Sequence, residues 1–522
     1  MIDPRTLDLF QLTCLLLAGA LLVWDTIEVG RNDAANLVNA VFGARVLPRR
    51  TAILVAGVAV VLGAVLSSDV IDTARKGIFD PMELTVKAAL AIYISVYIVD
   101  TVLLYSYSAF GMPVSTTACL VFELLGAAIA INASTVNWGK AGIVVGGIAC
   151  SIVLTGFVAF AIQRAARGAI RERATHLPTL LLHGGWLGGG LAAGLCYFML
   201  FKGMKNVGFV KHLNAWLNRL DDAIEGGIVG VLFLLLMWGV FAILIHASLV
   251  LYRKRAAKLL FPGLSILGMI AMAFAFGQND LANCASPGLA AFSLISTQDV
   301  KTATQVPIAW WMLLVCGLLL FMGMTTKNAE RVTKAAVSTG SMGDHVELWA
   351  PRWCVTLATR VLLLRRRAPS LAPRAGVTVT GKTMHYDTLR ASVIMSVSAC
   401  VIATASSLGL PVSTTYVAFA AVVATGMADR IFQRGDAELK LGRAIWVVIS
   451  WFLAAAIAAV AAAVVATAVF QFEVWGMIAC LAANLFVRHV LKKRADLQAK
   501  RVKEEAYERA HPEEFALERE DE

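Results

Sequence analysis

Charged residues are scarce in this chain. Asp, Glu, Lys and Arg make up 16% of its 522 residues, and 58% of the residues are hydrophobic. A soluble domain has about 25% charged and 45–50% apolar residues, so this composition excludes a soluble protein. The apolar runs, such as residues 55–66 and 231–245, are continuous, whereas the strands of a membrane barrel alternate. We therefore predict an all-α integral membrane protein.

Paired cysteines are missing as well. The nine cysteines are scattered, mostly within apolar runs, and no two have the CxxC spacing. We interpret them as small buried side chains without a disulfide or metal role. The first residues lack the basic region and the cleavage site of a signal peptide, so we expect the first apolar run to remain as a membrane segment.

The basic residues do not indicate nucleic-acid binding, although the formal net charge is +11. They form short clusters between apolar runs, at residues 45–50, 164–173, 253–258, 365–367 and 492–494. Such clusters are typical of cytoplasmic loops under the positive-inside rule, and no basic stripe with interleaved aromatics is present. We expect a multi-pass protein of the cell (inner) membrane, with the lipid bilayer as a partner and no nucleic acid.

Two polar motifs interrupt the apolar sequence, and each occurs twice in the same order. Residues 30–36 read GRNDAAN and residues 277–283 read GQNDLAN, while PVSTT stands at 113–117 and again at 411–415. Two related halves that share one site at their interface are typical of secondary transporters.

The spacing of the motifs differs between the halves, and this helps to divide the chain. The two Asn-Asp motifs are 247 residues apart and the two PVSTT motifs are 298 apart, so the second half has 51 more residues between its motifs. We assign a first transmembrane repeat to 1–163, a basic connector with one span to 164–222 and a second repeat to 223–490. The extra residues are assigned to a loop at about 338–387, and residues 491–522 to a charged cytoplasmic tail.

The PVSTT motifs have the chemistry of an anion site. Proline suits the first turn of a helix, whose free N–H groups and positive dipole end attract anions. The motif adds hydroxyl donors at the same place, so the prolines are expected to open short helices or hairpins that point into the membrane. An alternative is that these hydroxyls only cap their own helices. The hydroxyl residues are Ser115, Thr116, Thr117, Ser413, Thr414 and Thr415.

The Asn-Asp motifs place a carboxylate inside an apolar segment, which is costly and indicates function. Asp33 and Asp280 have two possible roles. Hard oxygen ligands suit a small cation such as Na⁺, and a carboxylate also accepts a hydrogen bond from an anion that carries a proton. Phosphate has such P–OH groups near neutral pH and sulfate does not, so the aspartates favour phosphate. Gly30 is expected to permit an unwound segment before the motif.

The four motifs together resemble the signatures of the inorganic phosphate transporter (PiT) family. The resemblance covers both halves. It implies cation-coupled phosphate uptake, with Na⁺ or H⁺ as the coupling ion and no other cofactor. It also implies two inverted repeats with broken helices and re-entrant hairpins, about 12 transmembrane helices, and often a homodimer. Carried over, Asp33, Asp280 and the six hydroxyl residues would line the phosphate. Asn32, Asn36, Asn279 and Asn283 would help to hold the cation.

This chain departs from the family pattern at several positions. Arg31 and Gln278 replace the small residue that usually precedes Asn-Asp, and Tyr416 stands where a histidine is common. Arg31 either recruits the anion or extends to a cavity mouth. Glu123 and Asp100 lie within apolar runs, and each is either a proton-coupling acid or a structural one.

Other functions stay open. A sulfate or related oxyanion permease on the same fold is the main alternative. A membrane phosphatase or a phosphate sensor is more distant, because the duplicated motifs supply neither His nor Cys and no output domain is visible. We expect a transporter and not an enzyme.

Overall fold

The computed structural model describes residues 7–67, 78–205, 207–224, 228–300, 309–364 and 383–510. Over these ranges the chain folds into α-helices joined by short turns. An isolated bridge pairs Phe79 with Val136, and no β-strand forms within these ranges. The helices are α1 (Leu9–Gly43), α2 (Arg49–Val65), α3 (Val86–Ala109), α4 (Thr116–Asn132), α5 (Trp138–Ile170), α6 (Leu177–Tyr197), α7 (Gly208–Ile224), α8 (Val229–Tyr252), α9 (Lys254–Thr297), α10 (Trp310–Met324), α11 (Lys327–Thr339), α12 (Arg352–Leu363), α13 (Thr388–Ser407), α14 (Thr414–Ala428) and α15 (Ala437–Ala510).

The predicted fold class, an all-α membrane protein, is confirmed. Within the described ranges nine helices are long and apolar enough to cross a bilayer, and ten if the pair α10 and α11, bent by 67°, counts as one broken span. The expected number of about 12 is not confirmed. Some apolar helices are simply short, since α2 has 17 residues and α14 has 15, whereas a straight span needs about 20. The 74-residue helix α15 changes direction at Glu473, where φ is +49°.

Helices α1 and α9 run without a break through the Asn-Asp motifs, so the predicted unwinding at Gly30 is wrong. The glycines serve close packing instead. A Cβ atom at Gly30 would lie 2.1 Å from the carbonyl oxygen of Leu320, and one at Gly277 would lie 2.2 Å from that of Val60. Small residues let two membrane helices approach backbone to backbone. The glycine of each motif therefore presses its helix against a neighbour, α10 for α1 and α2 for α9.

The chain leaves helical geometry just before each PVSTT motif, and a short helix follows as expected, but each proline lies two residues before the N-cap serine and not in the first turn. Helix α3 ends at Ala109 and α4 begins at Thr116, while α13 ends at Ser407 and α14 begins at Thr414. A glycine with positive φ turns the chain in each link, Gly111 at +64° and Gly409 at +67°. These two glycines are 298 residues apart, like the motifs that follow them. Each half thus contains one long helix followed by a hairpin that ends in a short helix.

Basic residues from distant parts of the chain meet at one end of the molecule. Arg45, after α1, donates to the Thr383 carbonyl oxygen over 3.1 Å. Arg167, near the end of α5, pairs with both Asp387 and Asp429 at 2.8 Å. Two of the basic clusters, at residues 45–50 and 164–173, therefore lie at the same end of the molecule, beside residues 383–387.

The assignment of the extra residues changes in detail. The stretch 338–387 is not only a loop, because helix α12 forms within it and packs on α15. Its Arg365–Arg367 cluster and the residues up to 382 lie outside the described ranges, as do residues 511–522 of the predicted tail. The division of the chain at 163, 222 and 490 stays a prediction, and helices α5 and α15 run across the first and last of these positions.

Candidate functional site

All four motifs meet at one place in the middle of the helix bundle. The hydroxyl of Thr116, at the start of α4, donates to Asp280 Oδ1 over 3.0 Å and lies 3.3 Å from Asp33 Oδ2. Asp33 comes from α1 and Asp280 from α9, so one hydroxyl connects the acidic residues of both halves. The two Asn-Asp motifs therefore contribute to a single site.

The first asparagine of each motif holds the nearby hairpin through its backbone. The Asn32 side chain donates to the Val114 carbonyl oxygen over 2.6 Å, and Asn279 donates to that of Val412, also over 2.6 Å. Each amide oxygen faces the N–H group of the same valine, at 3.4 Å and 3.3 Å. Asn32 and Asn279 thus fix the PVSTT segments against the long helices, one in each half.

The last asparagine of each motif reaches into the opposite half. Asn36 donates to the Thr415 hydroxyl over 2.9 Å, and Asn283 donates to the Thr117 hydroxyl over 2.9 Å. Thr415 in turn donates to Asp33 Oδ1 over 2.7 Å. The asparagine contacts match in pairs, so the site has approximate two-fold symmetry, although Thr117 donates to the Val412 carbonyl oxygen over 3.0 Å.

The serines of the PVSTT motifs have a different role from the threonines. Ser115 Oγ accepts the Ala118 N–H over 3.0 Å, and Ser413 Oγ accepts the Tyr416 N–H over 3.1 Å. These are N-cap hydrogen bonds, which fix the start of each helix. Among the hydroxyls, the capping alternative therefore describes the two serines, while Thr116 and Thr415 bond to the aspartates.

The expected site residues are all buried. Each of the two aspartates, four asparagines and six hydroxyl residues is at most 4% exposed. The hydrogen-bond partners of Asp33 and Asp280 among the described residues are amides and hydroxyls, without a basic side chain. Two carboxylates that share one hydroxyl repel each other when both are ionised. A cation or a proton would offset that repulsion.

One oxygen of the site suits a cation. Asn283 Oδ1 is buried and has no hydrogen-bond partner among the described residues, although its Nδ2 donates to Asp280 Oδ1 over 2.8 Å. An amide carbonyl next to a carboxylate is the ligand set that hard cations prefer. Asn32 and Asn279 use their oxygens toward the hairpins instead.

Arg31 does not point its charge at the aspartates. Its guanidinium donates to both Glu28 oxygens, over 2.8 Å and 2.7 Å, and Arg488 from α15 donates to the same carboxylate over 2.7 Å. Gln278, the matching residue in the second half, donates to the Gly203 carbonyl oxygen over 2.6 Å. Sequence reasoning missed Glu28, although an acid inside an apolar run is a signal of function.

The structure also shows what surrounds the other residues at which this chain departs from the family pattern. The ring of Tyr416 stacks on Trp451 with 3.9 Å between centroids, so an aromatic pair stands where a histidine is common in the family. Glu123 and Asp100 are fully buried on α4 and α3, and Asp25 on α1 is buried as well. Asp25 was also missed, because it lies at the apolar start of the same helix that carries the motif.

The comparisons with known proteins agree with this geometry. The model of the phosphate transporter family matches residues 29–339 and 370–462. The chain belongs to the phosphate transporter family. The match covers most of the chain and includes all four motifs. The resemblance to that family found in the sequence is therefore confirmed.

Two relatives and a solved structure are similar to this chain over most of its length. A protein named "putative phosphate permease" from Thermococcus kodakarensis is 26% identical over 440 residues, which cover 83% of this chain and 92% of the relative. One of the same name from Haemophilus influenzae is 25% identical over 454 residues, with 83% and 93% coverage. The structure called "The sodium-dependent phosphate transporter" has a similar fold, with a TM-score of 0.63, 22% identity, and coverage of 87% of this chain and 98% of that one.

Proposed function

We propose that this protein is a secondary active transporter that takes up inorganic phosphate together with a cation by alternating access. The observation that carries the proposal is the Thr116 hydroxyl between Asp33 and Asp280, since it joins the motifs of both halves in one buried site. Membership of the phosphate transporter family supports the substrate. The family is one of transporters, so we infer transport and not catalysis.

The anion would bind between the N-terminal ends of α4 and α14. These ends offer N–H groups and a favourable dipole, and their threonines Thr116, Thr117, Thr414 and Thr415 add hydroxyl donors. Asp33 and Asp280 would accept hydrogen bonds from P–OH groups of the protonated anion. A fully ionised sulfate lacks such groups and would meet two carboxylates without compensation, so phosphate is the preferred substrate.

The coupling cation would offset the charge of the aspartates. The free amide oxygen of Asn283 and the carboxylates supply hard ligands for Na⁺, and Asn36 and Asn279 orient them through hydrogen bonds. A proton on a carboxyl group would serve the same purpose. The name of the similar solved structure states sodium dependence for that protein, which favours testing Na⁺ and H⁺ side by side.

Alternating access would change the hydrogen bonds that join the two halves of the chain. Because the site residues are buried, phosphate enters and leaves only when the hairpins and the long helices separate on one side. The hydrogen bonds Asn36–Thr415 and Asn283–Thr117 join one half to the other, and they would break and re-form during the cycle. The shared basic end would face the cytoplasm under the positive-inside rule, in a cell (inner) membrane, with a homodimer as the expected assembly.

Uptake of labelled phosphate by proteoliposomes tests this function. We expect the purified protein to accumulate phosphate when a Na⁺ gradient or a pH gradient is imposed, and excess sulfate to compete weakly. Sulfate that competes as well as unlabelled phosphate would favour the oxyanion permease. Hydrolysis of a phosphoester by the purified protein, without any uptake, would favour the enzyme.

A further inference from the structure

Three carboxyl groups outside the phosphate site lie together in the membrane interior. Asp25 of α1, Asp100 of α3 and Glu123 of α4 are at most 1% exposed. Asp25 and Asp100 are close enough to interact directly, and Glu123 interacts electrostatically with both. Apart from one another, these carboxyl groups have no hydrogen-bond partner in the described part of the chain.

Such a cluster is costly unless something neutralises it. An unpaired ionised carboxylate in a low-dielectric interior carries a penalty of several kcal/mol, and like charges add repulsion. Arg31 and Arg488, the arginines of this region, are both paired with Glu28 instead. Among the described residues, the titratable groups that face the cluster are acidic or neutral, namely Glu28 of α1, Tyr97 of α3, Cys119 of α4 and Cys284 of α9.

The cluster belongs to one half of the chain. With the motif offsets of 247 and 298 residues, the positions equivalent to Asp25, Asp100 and Glu123 are Met272, Ser398 and Ala421. The second half folds into the matching helices without any of the three acids. The carboxyl groups are therefore not needed to build the repeat, and their cost needs another explanation.

We propose that Asp25, Asp100 and Glu123 form a proton-binding site, separate from the phosphate site, through which the coupling proton moves. The inference rests on the proposed phosphate transport. A proton adds to a carboxyl oxygen from one side of the membrane and leaves that oxygen toward the other side, and no other bond changes. Asp25 precedes Asp33 by eight residues on α1, about 12 Å along the helix. Protonation of the cluster therefore acts on the same helix that carries Asp33 of the phosphate site.

A proton fits the cluster better than a metal ion or a histidine relay does. The described residues contain no group of three or more His, Cys, Asp or Glu side chains placed to hold a metal ion. His385, at the basic end, hydrogen-bonds Ser341 over 2.9 Å, and burial, with Arg45 and Lys440 nearby, lowers its pKa to about 4. It stays neutral at physiological pH. The carboxyl cluster, unlike the Glu28 carboxylate, has no basic side chain bonded to it in the described part of the chain, so a bound proton would neutralise its charge.

Proton movement during phosphate uptake tests the proposal. Proteoliposomes loaded with a pH-sensitive dye report protons that enter when phosphate is added outside, and the amount of labelled phosphate taken up gives the share of protons that the anion itself carries. Proton movement here means the excess over that share. We expect wild-type protein to move protons with phosphate, and Asp100→Asn and Glu123→Gln to lose this proton movement and the stimulation of uptake by an acidic exterior. Thermal stabilisation by phosphate shows that each variant is folded and still binds the anion, and Asp25→Asn provides a third variant if one of them fails to fold.

The matched control is Ser398→Ala, which changes the position equivalent to Asp100 in the second half. We expect this variant to keep proton movement. Wild-type uptake that follows a Na⁺ gradient with no proton movement would overturn the proton site while leaving phosphate transport intact. Proton movement that persists in the folded Asp100→Asn and Glu123→Gln variants would overturn it too. An absence of phosphate uptake under either gradient would instead refute the proposed function.

Discussion

Asn36 of the first half donates a 2.9 Å hydrogen bond to the hydroxyl of Thr415 in the second half. The same Asn36 amide also donates to Asp33 over 2.8 Å, so one side chain connects the carboxylate of its own helix to the hairpin of the other half. Asn283 makes the equivalent bond to Thr117. The two halves are thus joined through the residues that form the candidate site, which couples the closure of the site to the arrangement of the halves.

Replacing Asn36 is expected to impair both transport and stability. Asn36→Ala removes two hydrogen bonds from buried partners, at about 1–3 kcal/mol for each unsatisfied group, and about 1.4 kcal/mol corresponds to a tenfold change. We expect phosphate uptake to fall about tenfold or more. Asn137→Ala is the control, because Asn137 only caps an exposed turn at the start of α5. Equal uptake by both variants would show that the bridge between the halves is dispensable.

Substitutions of Ser115 and Thr116 in the same motif should distinguish a residue that caps a helix from one that binds the substrate. Ser115→Ala removes the N-cap bond of α4 and is expected to cost about 1 kcal/mol of stability, with uptake largely kept. Thr116→Val keeps the shape of the side chain but removes the hydroxyl between the aspartates, and we expect it to abolish uptake at near wild-type stability. Thermal unfolding in detergent and uptake assays are measured on both. The opposite pattern would contradict the assigned roles.

The sequence predicted the meeting of the motifs because duplication is visible without a structure. Four polar motifs in matched order need one shared site to explain them, and the structure brings Asp33 and Asp280 to a single hydroxyl. The sequence left open which hydroxyl of PVSTT caps the helix and which one contacts the aspartates, since serine and threonine are chemically alike. Their separation depends on helix geometry, which places Ser115 at the N-cap and Thr116 one position further.

Contacts of residues outside the duplicated hydroxyl and Asn-Asp positions were beyond prediction, because no repeat in the sequence indicates them. Arg31 was open between two roles, and its actual partner Glu28 also binds Arg488, 460 residues away. The prediction of an unwound segment at Gly30 was wrong for a related reason. Glycine permits both an unwound backbone and close helix packing, and the choice depends on where α10 lies, which the local sequence does not contain.

The close packing at Gly30 gives a stability prediction. A methyl group there would overlap the Leu320 carbonyl oxygen of α10, at 2.1 Å, so α1 and α10 must separate. We expect Gly30→Ala to lower the yield of folded protein and its unfolding temperature. Gly142→Ala on α5 is the matched control, because nothing lies within 4 Å of its added methyl group, and it should be neutral or stabilise by up to about 1 kcal/mol. Similar losses in both variants would argue against tight packing at Gly30.

The buried ion pairs of Arg167 are expected to matter far more than an exposed pair. Arg167→Met leaves Asp387 and Asp429 without their cation at the basic end, and the loss of one partner of a buried pair costs about 3–5 kcal/mol. Lys87→Gln breaks the pair with Glu473, in which both side chains are more than 40% exposed, and should cost less than about 1 kcal/mol. The measurement is thermal unfolding of both variants in one detergent. Comparable shifts would contradict the strength assigned to the Arg167 network.

The central claim is that Asp33 and Asp280 form one phosphate site, and uptake of labelled phosphate into proteoliposomes tests it most directly. Wild-type protein, Asp33→Asn, Asp280→Asn and the control Asp80→Asn, which changes an exposed cap at the edge of the molecule, are compared at equal amounts of folded protein. We predict gradient-driven uptake by the wild type and by Asp80→Asn, and none by the two site variants. Uptake near the wild-type level in both Asp33→Asn and Asp280→Asn would contradict the account.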